Sequence, residues 1–422
     1  MITALSTRKV LWIQVWGLAL VQGAIALTWV IYNLYLVDLL TQFGFPASLA
    51  TALLVLENIL AAFIEPLMGS FSDRLQHTMG TRFPFIALGM ITASACFLGI
   101  PAVLVFGGPS GVMRWLLPVM MVAWAIAMTL FRSPALSLLG RYAFRTQLPQ
   151  AASILTLIGG LAGALGPLAG TYILKMGPLF TFFIGSLSLV GAAFALRAVG
   201  PNQNVTDSSA SDVSESSLSE ASLAKSPLLP KAAPTLSVAN LALIFGAGMG
   251  VSLGFRLILQ TFTKVIPERI PDINIGFVLG AVFLSLALTA IPMGKLVTKI
   301  GTRLAMMLGL GIMAILTILI LAGTHFILAF GMAIAIGTCF SIVSNTTIPF
   351  ALSMVPSHKA GLGTGMYFSG GAVAMSLYGM AASKGIQLSG SLGAYIGATA
   401  FLCAAGCTFI SMKLALNTAA TQ

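Results

Sequence analysis

Apolar stretches of about 20 residues recur along this chain from Val10 almost to its C-terminus. A helix of that length crosses about 30 Å of hydrocarbon, and in lipid only helices and closed barrels satisfy every backbone hydrogen bond. Barrel strands would alternate apolar and polar residues, which these runs do not. With 58% hydrophobic residues and a mean hydropathy of +1.01, the chain is predicted to be an all-α, multi-pass integral membrane protein embedded in a lipid bilayer.

The apolar runs predict twelve transmembrane helices. Their bounds are 10–37, 47–71, 84–106, 116–139, 150–174, 178–199, 236–262, 274–298, 304–322, 325–353, 359–384 and 392–414. The first run is too long for a signal-peptide core and is not followed by a small-residue cleavage pattern, so we interpret it as a retained helix. An even number of spans places both termini on one side of the membrane.

The distribution of positive charge predicts which side that is. With the N-terminus inside, 14 of the 21 Lys and Arg residues lie on the inner face and five on the outer face, while Arg132 and Arg256 lie within spans. Cytoplasmic loops carry the excess of Lys and Arg, so we expect cytoplasmic termini and a location in the plasma (inner) membrane. Because the bases follow the loops and form no single block, the net charge of +11 does not indicate nucleic-acid binding.

A polar segment at 201–235 divides the chain in two. It contains nine serines, four prolines and four acids, a composition typical of a flexible linker. The sequence therefore predicts an N-terminal six-helix bundle at 1–200, a flexible cytoplasmic linker, and a C-terminal six-helix bundle at 236–422.

The two predicted bundles resemble each other in sequence. The stretch GSFSDRLQHTMGTR after span 2 resembles GKLVTKIGTR after span 8, and SPALSLL in span 4 resembles PFALSMV in span 10. Two pseudo-symmetric six-helix bundles suit a transporter, since rocking one bundle against the other exposes a central site to alternate sides.

Signatures of catalysis and ATP hydrolysis are missing from the sequence. G-x-x-x-x-G-K-[ST], H-E-x-x-H and C-x-x-C do not occur, and the four cysteines lack the spacing of a metal site. We expect no enzymatic activity, no cofactor and no bound metal. An ion gradient, or the gradient of the solute itself, is then the expected energy source.

The loop between spans 2 and 3 carries the pattern G-x-x-x-D-R at Gly69, Asp73 and Arg74. This pattern resembles the hallmark loop of the major facilitator superfamily. The longer stretch EPLMGSFSDRLQHTMGTRFPFI, together with FRSPALSLL and PFALSMVPSHKAGLGTGMYF, more closely resembles the glycoside–pentoside–hexuronide cation symporters and the related sucrose transporters.

That resemblance implies the major facilitator fold over all twelve spans. It also implies secondary active transport of a small polar solute, a sugar or glycoside, by alternating access. A non-transporting membrane scaffold, assembly factor or sensor on the same fold is the alternative. Gly80 and Arg82 complete the set of gating-loop candidates that begins with Gly69, Asp73 and Arg74.

The sequence departs from these relatives at two points of the gating loop. Where relatives have G-R-R-R-P, this chain has Gly80-Thr81-Arg82-Phe83-Pro84, which keeps one base of three. Where many relatives place an aspartate after the span 4 motif, this chain has Gly140-Arg141. Groups on both sides of the charged gating contact are therefore changed, although the fold does not depend on them.

Glu65 lies inside an apolar run, directly before Pro66. In the sodium-coupled sugar symporters that the sequence resembles, two aspartates one helical turn apart on span 2 hold the cation. Glu65 occupies the second position and Ala61 the first. Na⁺ requires several oxygen ligands, whereas a lone buried carboxylate is suited to carry a proton, so we expect coupling to H⁺ rather than Na⁺. A purely structural ion pair between Glu65 and Arg132, which lie at similar depths, is the alternative.

Further polar residues within the spans are candidates for solute binding. In span 1, Gln22, Trp29 and Asn33 lie on one helix face at spacings of seven and four, and the resemblance implies that this helix lines the cavity. The other candidates are Glu57, Asn58, Arg256, Gln260 and Asn345. Bonds between neighbouring helices, or anchoring at the interface, would also explain each of them.

Arg256 and Glu57 are expected to bridge the two bundles when the outer mouth closes. From the outer ends of their spans, their depths are about 9 Å and 15 Å. Closing would form the pair, and opening would free both charges for the solute.

Overall fold

The computed structural model describes residues 10–106, 111–200, 236–271, 273–323, 325–386 and 388–420. All regular elements in these ranges are helical. Numbered in chain order, the α-helices are α1 (Trp12–Gln42), α2 (Ser48–Met79), α3 (Phe83–Phe106), α4 (Leu116–Ser137), the short α5 (Leu139–Tyr142), α6 (Leu148–Lys175), α7 (Pro178–Ala198), α8 (Val238–Arg269), α9 (Ile275–Ile300), α10 (Thr302–Leu319), α11 (Phe326–Ser353), α12 (Ala360–Ser383) and α13 (Gly390–Ala420). Three short 3₁₀ helices lie at Gly111–Trp115, Ile320–Ala322 and Ser357–Lys359. The predicted linker at 201–235 lies outside the described residues.

The helices are long enough to cross a bilayer. Eleven membrane-spanning segments of sufficient length and hydropathy are found in the described residues. The remaining long helix, α12, is rich in Gly and Ser, which lowers its hydropathy, but its 24 residues make it about 36 Å long. The predicted all-α membrane fold is confirmed. The length of α12 is sufficient to cross a bilayer, although its hydropathy is lower than that of the other eleven segments.

Local sequence explains where several helices begin and end. Gly80 adopts a left-handed conformation with φ 71° and terminates α2, a role for which glycine has no steric cost. The side chains of Ser237 and Asn274 accept hydrogen bonds from the backbone N–H groups two residues on and so cap α8 and α9. These polar caps satisfy N–H groups that a helix start leaves unpaired.

Buried apolar side chains form two separate cores. The first gathers side chains almost entirely from residues before 197 and is centred on large residues such as Trp124, Phe97 and Phe182. The second gathers side chains between 244 and 404, including Phe262 and Phe401. Each half of the chain therefore packs around its own interior.

Close contact between the halves depends on glycine. The main contacts across them pair α2 with α12 and α6 with α9. A Cβ atom added at Gly365 would lie 2.8 Å from the Cα of Pro66, and one added at Gly294 would lie 2.6 Å from the Cβ of Ser153. Small residues let helix backbones approach this closely within a membrane.

The two ends of the bundle differ in how the halves meet. We call the end that contains Asp73 and Gly361 the Asp73 end, and the opposite one the Asn33 end. At the Asp73 end, Ser133 donates a 3.0 Å hydrogen bond to the carbonyl of Gly361 in the other half. The main packing partners of α1 and α8 lie within their own halves, while this hydrogen bond joins the two halves at the Asp73 end.

Candidate functional site

Three carboxylates lie in one row on the buried face of α2. The row consists of Glu57, Ala61, Glu65, Gly69 and Asp73, all of them buried, and we call it the acidic row. Side chains four residues apart lie above one another on a helix, so the row runs about 24 Å along the membrane-spanning part of α2. The exposed fractions of its three acids are 3%, 0% and 5% in chain order.

Glu65, in the middle of the acidic row, pairs with Arg132 of α4. Nη2 of Arg132 lies 2.6 Å from Oε1 of Glu65, and Nε donates to the same oxygen at 2.7 Å. The guanidinium also lies 4.5 Å from the ring centre of Phe368 on α12. The expected proximity of Glu65 and Arg132 is confirmed. The pair lies against α12, in the other half of the protein.

The second oxygen of Glu65 has no hydrogen-bond partner among the described residues. The Arg132 side chain is 22% exposed, while that of Glu65 is fully buried. The pair therefore joins a buried acid to a partly accessible base.

Glu57 interacts with a phenol instead of a base. The hydroxyl of Tyr32 donates a short hydrogen bond to Oε1 of Glu57, and Oε2 of Glu57 is buried with no partner in the described part of the chain. The ring of Tyr32 packs against Trp29 and Trp124, with ring centres 5.8 Å and 4.5 Å away. Glu57 thus lies at the edge of an aromatic cluster in the N-terminal half.

Arg256 does not contact Glu57 in this conformation. Its exposed guanidinium lies 5.0 Å from the ring centre of Tyr378, and within the described ranges it forms no ion pair. Tyr378 donates a 2.9 Å hydrogen bond to Oε1 of Gln260. The pair expected on closure of the outer mouth is not formed in this conformation, in which Glu57 of α2 instead accepts a hydrogen bond from Tyr32 of α1.

The Asp73 cluster joins the two halves at one end. Its carboxylate accepts hydrogen bonds from the backbone N–H groups of Gly361 and Leu362, both at 2.9 Å, and pairs with Nη2 of Arg82 at 2.5 Å. Arg82 also donates to the hydroxyl of Ser137. Because the two N–H groups belong to the first turn of α12, the negative charge is placed where the helix dipole favours it.

The gating-loop candidates divide between the cluster and the surface. Gly69 packs against the backbone of Gly361, which leaves no space for a side chain. Gly80 reverses the chain so that Arg82 returns to Asp73, while Arg74 is exposed. The one base kept in the loop is enough to form a buried charged contact, which the altered motif did not lead us to expect.

The amide candidates mostly bond to backbone carbonyls. Asn33 donates to Trp29, Asn58 to Leu54, and the fully buried Asn345 to Ala290, at 2.7, 2.7 and 2.8 Å. Gln22 is half-buried and its Oε1 has no partner in the described residues. The structure therefore keeps the α1 candidates in one half and the pair of Arg256 and Gln260 in the other.

Two parts of the site were missed at the sequence level. The sequence did not identify Tyr32, which donates a hydrogen bond to Glu57, or Trp124, which packs against Tyr32. The four-residue spacing of the acidic row was visible in the sequence. It would have indicated that neighbouring members stack along α2 on a row that turns by about 40° per step, so that its two ends face different helices.

A further motif escaped notice at 250–254, where Gly250-Val251-Ser252-Leu253-Gly254 matches the G-x-S-x-G pattern of hydrolases. That pattern requires a sharp strand-to-helix turn. Here it lies inside the continuous helix α8, with Ser252 packed against Gly371. The match therefore indicates no nucleophile.

Comparison with known proteins identifies relatives by family and by fold. Residues 18–379 match the sequence model of the Major Facilitator Superfamily. No curated protein matches the chain. Among solved structures, the human organic anion transporter MFSD10 (TETRAN) is similar, with a TM-score of 0.63 and 15% sequence identity over 94% of this chain and 99% of that one. At this identity the likeness concerns the fold alone.

Proposed function

Because the chain belongs to the major facilitator superfamily, we propose that it is a secondary active transporter that moves a small polar solute by alternating access, coupled to H⁺. The proposal assigns no catalytic activity to the chain. It places both termini in the cytoplasm of a cell whose plasma (inner) membrane holds the protein. The Asp73 end is then the cytoplasmic end.

The observation that carries this proposal is the Asp73 cluster. Through Asp73 it accepts two directional hydrogen bonds from the backbone of α12, across the halves and at one end of the bundle. Such bonds break when one half tilts against the other, and they are the kind of contact that holds one of two discrete arrangements. A scaffold that never rocks has no need of a buried carboxylate at this contact, since burying a charge opposes stability.

We assign proton coupling to Glu65. Its partner Arg132 stabilises the charged carboxylate, and a proton on Glu65 would remove that attraction and free Arg132. Sodium coupling is less well supported, since Ala61 supplies no oxygen and Oε1 of Glu65 already binds Arg132. Na⁺ is a hard cation that needs several oxygen ligands.

We propose a sugar or glycoside as the solute, bound between the halves. Trp29 would offer an apolar ring face, and Gln22 and Asn33 on the same helix would offer amide groups to hydroxyls. From the other half, Arg256 and Gln260 would contribute.

A second candidate solute is an organic anion. Arg256 is exposed, and the described residues place no acid within ion-pair distance of it. Its ring partner Tyr378 is fixed by Gln260. A cation held in this way matches a carboxylate or sulfate group on a solute, and the structurally similar MFSD10 is described as an organic anion transporter.

Uptake by membrane vesicles tests the proposal. Vesicles containing the protein would be offered neutral sugars, glycosides and aromatic carboxylates, with and without a pH gradient. We expect gradient-driven accumulation of at least one compound, lost in Glu65→Gln with solute exchange retained. A protein that transports none of the panel, in vesicles that transport a control carrier's substrate, would favour the scaffold.

The proposed orientation has a separate test. Protease added outside intact cells should leave the segment 201–235 uncut, because the proposal places it in the cytoplasm. External cleavage there would reverse the orientation while leaving the fold intact.

A further inference from the structure

The acidic row has a counterpart in the other half that contains no acid. When Met68-Gly69 is aligned with Met293-Gly294, the positions equivalent to Glu57, Glu65 and Asp73 are Val282, Ala290 and Thr298 of α9. The alignment agrees with the packing, since Gly69 and Gly294 are both close-contact glycines between the halves. We call Val282, Leu286, Ala290, Gly294 and Thr298 the counterpart row.

The counterpart row shows what the fold alone requires at these positions. Val282 and Ala290 are fully buried, so the symmetric site packs with apolar side chains. A carboxylate in a buried membrane position is costly, and such residues usually mark ion or proton sites. The acids of α2 are therefore additions to a helix contact that the fold forms without them.

Glu57 differs from the other two acids in its partner. Glu65 and Asp73 each pair with an arginine, which stabilises a carboxylate. Among the described residues, Glu57 is bonded only to the neutral hydroxyl of Tyr32, and its second oxygen is buried without a partner there. Burying an unpaired charge is far more costly than burying a neutral acid.

In the described part of the chain, Tyr32 is the one titratable group that pairs with Glu57. The titratable and charged groups on the helices that pack against α2 are Tyr32, Tyr35 and Asp38 of α1, Arg132 of α4, and Tyr367 and Tyr378 of α12, with His358 and Lys359 just before α12 and Lys384 just after it. Within the described residues, Tyr32 is the one group of this set that forms a hydrogen bond or ion pair with Glu57.

We infer that Glu57 is a proton-binding site separate from Glu65, occupied in this conformation, with the proton on Oε2. Oε1 then accepts from Tyr32, and the unpartnered oxygen is the one that carries hydrogen. The ligand is a proton exchanged with water, and loss of it leaves the carboxylate bonded to Tyr32. Glu57 is about 14 Å from the start of α2, so the Asn33 end is its nearer source of protons.

The inference goes beyond the proposed transport function and does not depend on it. If Glu65 is the coupling site, a proton on Glu57 would be a second one carried by the same helix. A protein that transports nothing would still hold the Glu57 proton.

Infrared spectroscopy of the purified full chain in lipid nanodiscs tests the inference without any solute. At neutral pH we expect the carbonyl band of a protonated carboxylic acid, which shifts on transfer to D₂O. The band should be lost in Glu57→Gln, whose amide has the shape of the neutral acid, and kept in Glu65→Gln. Absence of the band in the wild-type protein, or its survival in Glu57→Gln, would overturn the inference.

A second variant keeps the test valid if Glu57→Gln does not fold. In Tyr32→Phe the acid remains but loses its hydrogen-bond donor, so its carbonyl band should move to higher frequency with unchanged intensity. A band that stays at the wild-type frequency in Tyr32→Phe would show that it arises elsewhere and would also overturn the inference.

Discussion

The contact of α2 with α12 and the contact of α6 with α9 join the same two halves by different means. Both use glycine to bring backbones together. Only the first adds buried charge, through Glu65 and Asp73. The comparison indicates that packing of small residues forms the symmetric interface, and we propose that the charges on one side provide a means of opening and closing it.

The largest effect is expected from removing the carboxylate of the Asp73 cluster. Asp73→Ala leaves the buried Arg82 without its partner, and breaking a buried ion pair costs roughly 3–5 kcal/mol. Thr298→Ala changes the matching position of the counterpart row, and its hydroxyl bonds within its own helix. We expect a change below about 1 kcal/mol for this control. Thermal unfolding in detergent measures both, and equal losses would contradict the asymmetry between the contacts.

The next largest effect concerns coupling. Glu65→Gln removes the titratable group, so accumulation driven by a pH gradient should fall to the level without a gradient, while exchange of solute across the membrane continues. Unchanged gradient-driven uptake in vesicles would reduce Glu65 to a structural partner of Arg132.

Substitutions of Arg256 distinguish a role in solute binding or gating from simple anchoring at the membrane interface. Losing a hydrogen bond to a charged group costs about 1.5–3 kcal/mol, which corresponds to a loss of about tenfold or more in uptake. We expect that loss for both Arg256→Lys and Arg256→Gln, because lysine lacks the planar fork of arginine. Near-normal uptake by Arg256→Gln, at equal membrane abundance, would remove Arg256 from the mechanism.

The smallest expected effect tests the packing shared by both contacts. Gly365→Ala places a Cβ 2.8 Å from the Cα of Pro66, and overpacking of this kind costs about 1–3 kcal/mol. Gly406→Ala is the matched control, since no atom outside its helix lies within 4 Å of the added Cβ. It should be neutral or stabilise the protein by up to about 1 kcal/mol. Thermal unfolding that ranks the two variants in the opposite order would contradict the close-packed contact.

The lengths of the apolar runs predicted the fold, and they also gave the depth of each polar residue in the membrane. The matched depths of Glu65 and Arg132 predicted their pairing. Both residues lie at a similar distance along their helices, which apolar run lengths reveal. Rotation of helices about their axes was harder to predict, because polar residues here face neighbours that the sequence does not identify. Asn345 shows this, since it is buried against Ala290 and not exposed at a cavity.

The conformation of the bundle could not be predicted at all. The expected contact between Glu57 and Arg256 depends on which end is closed, and two arrangements of the same helices share one sequence. Tyr32 was missed as the partner of Glu57 for a related reason, since an aromatic residue within a span is common and carries no sign of its hydrogen-bond partner.

Distances between spin labels test the central claim, that the Asp73 cluster holds one of two arrangements of the halves. One label pair would replace the exposed His77 and Lys299 at the Asp73 end, and another the exposed Asp38 and the half-buried Lys264 at the Asn33 end, in a chain without its four native cysteines. In Asp73→Asn, the first distance should lengthen and the second shorten, while Thr298→Ala leaves both unchanged. Distances that remain the same in Asp73→Asn would contradict the account.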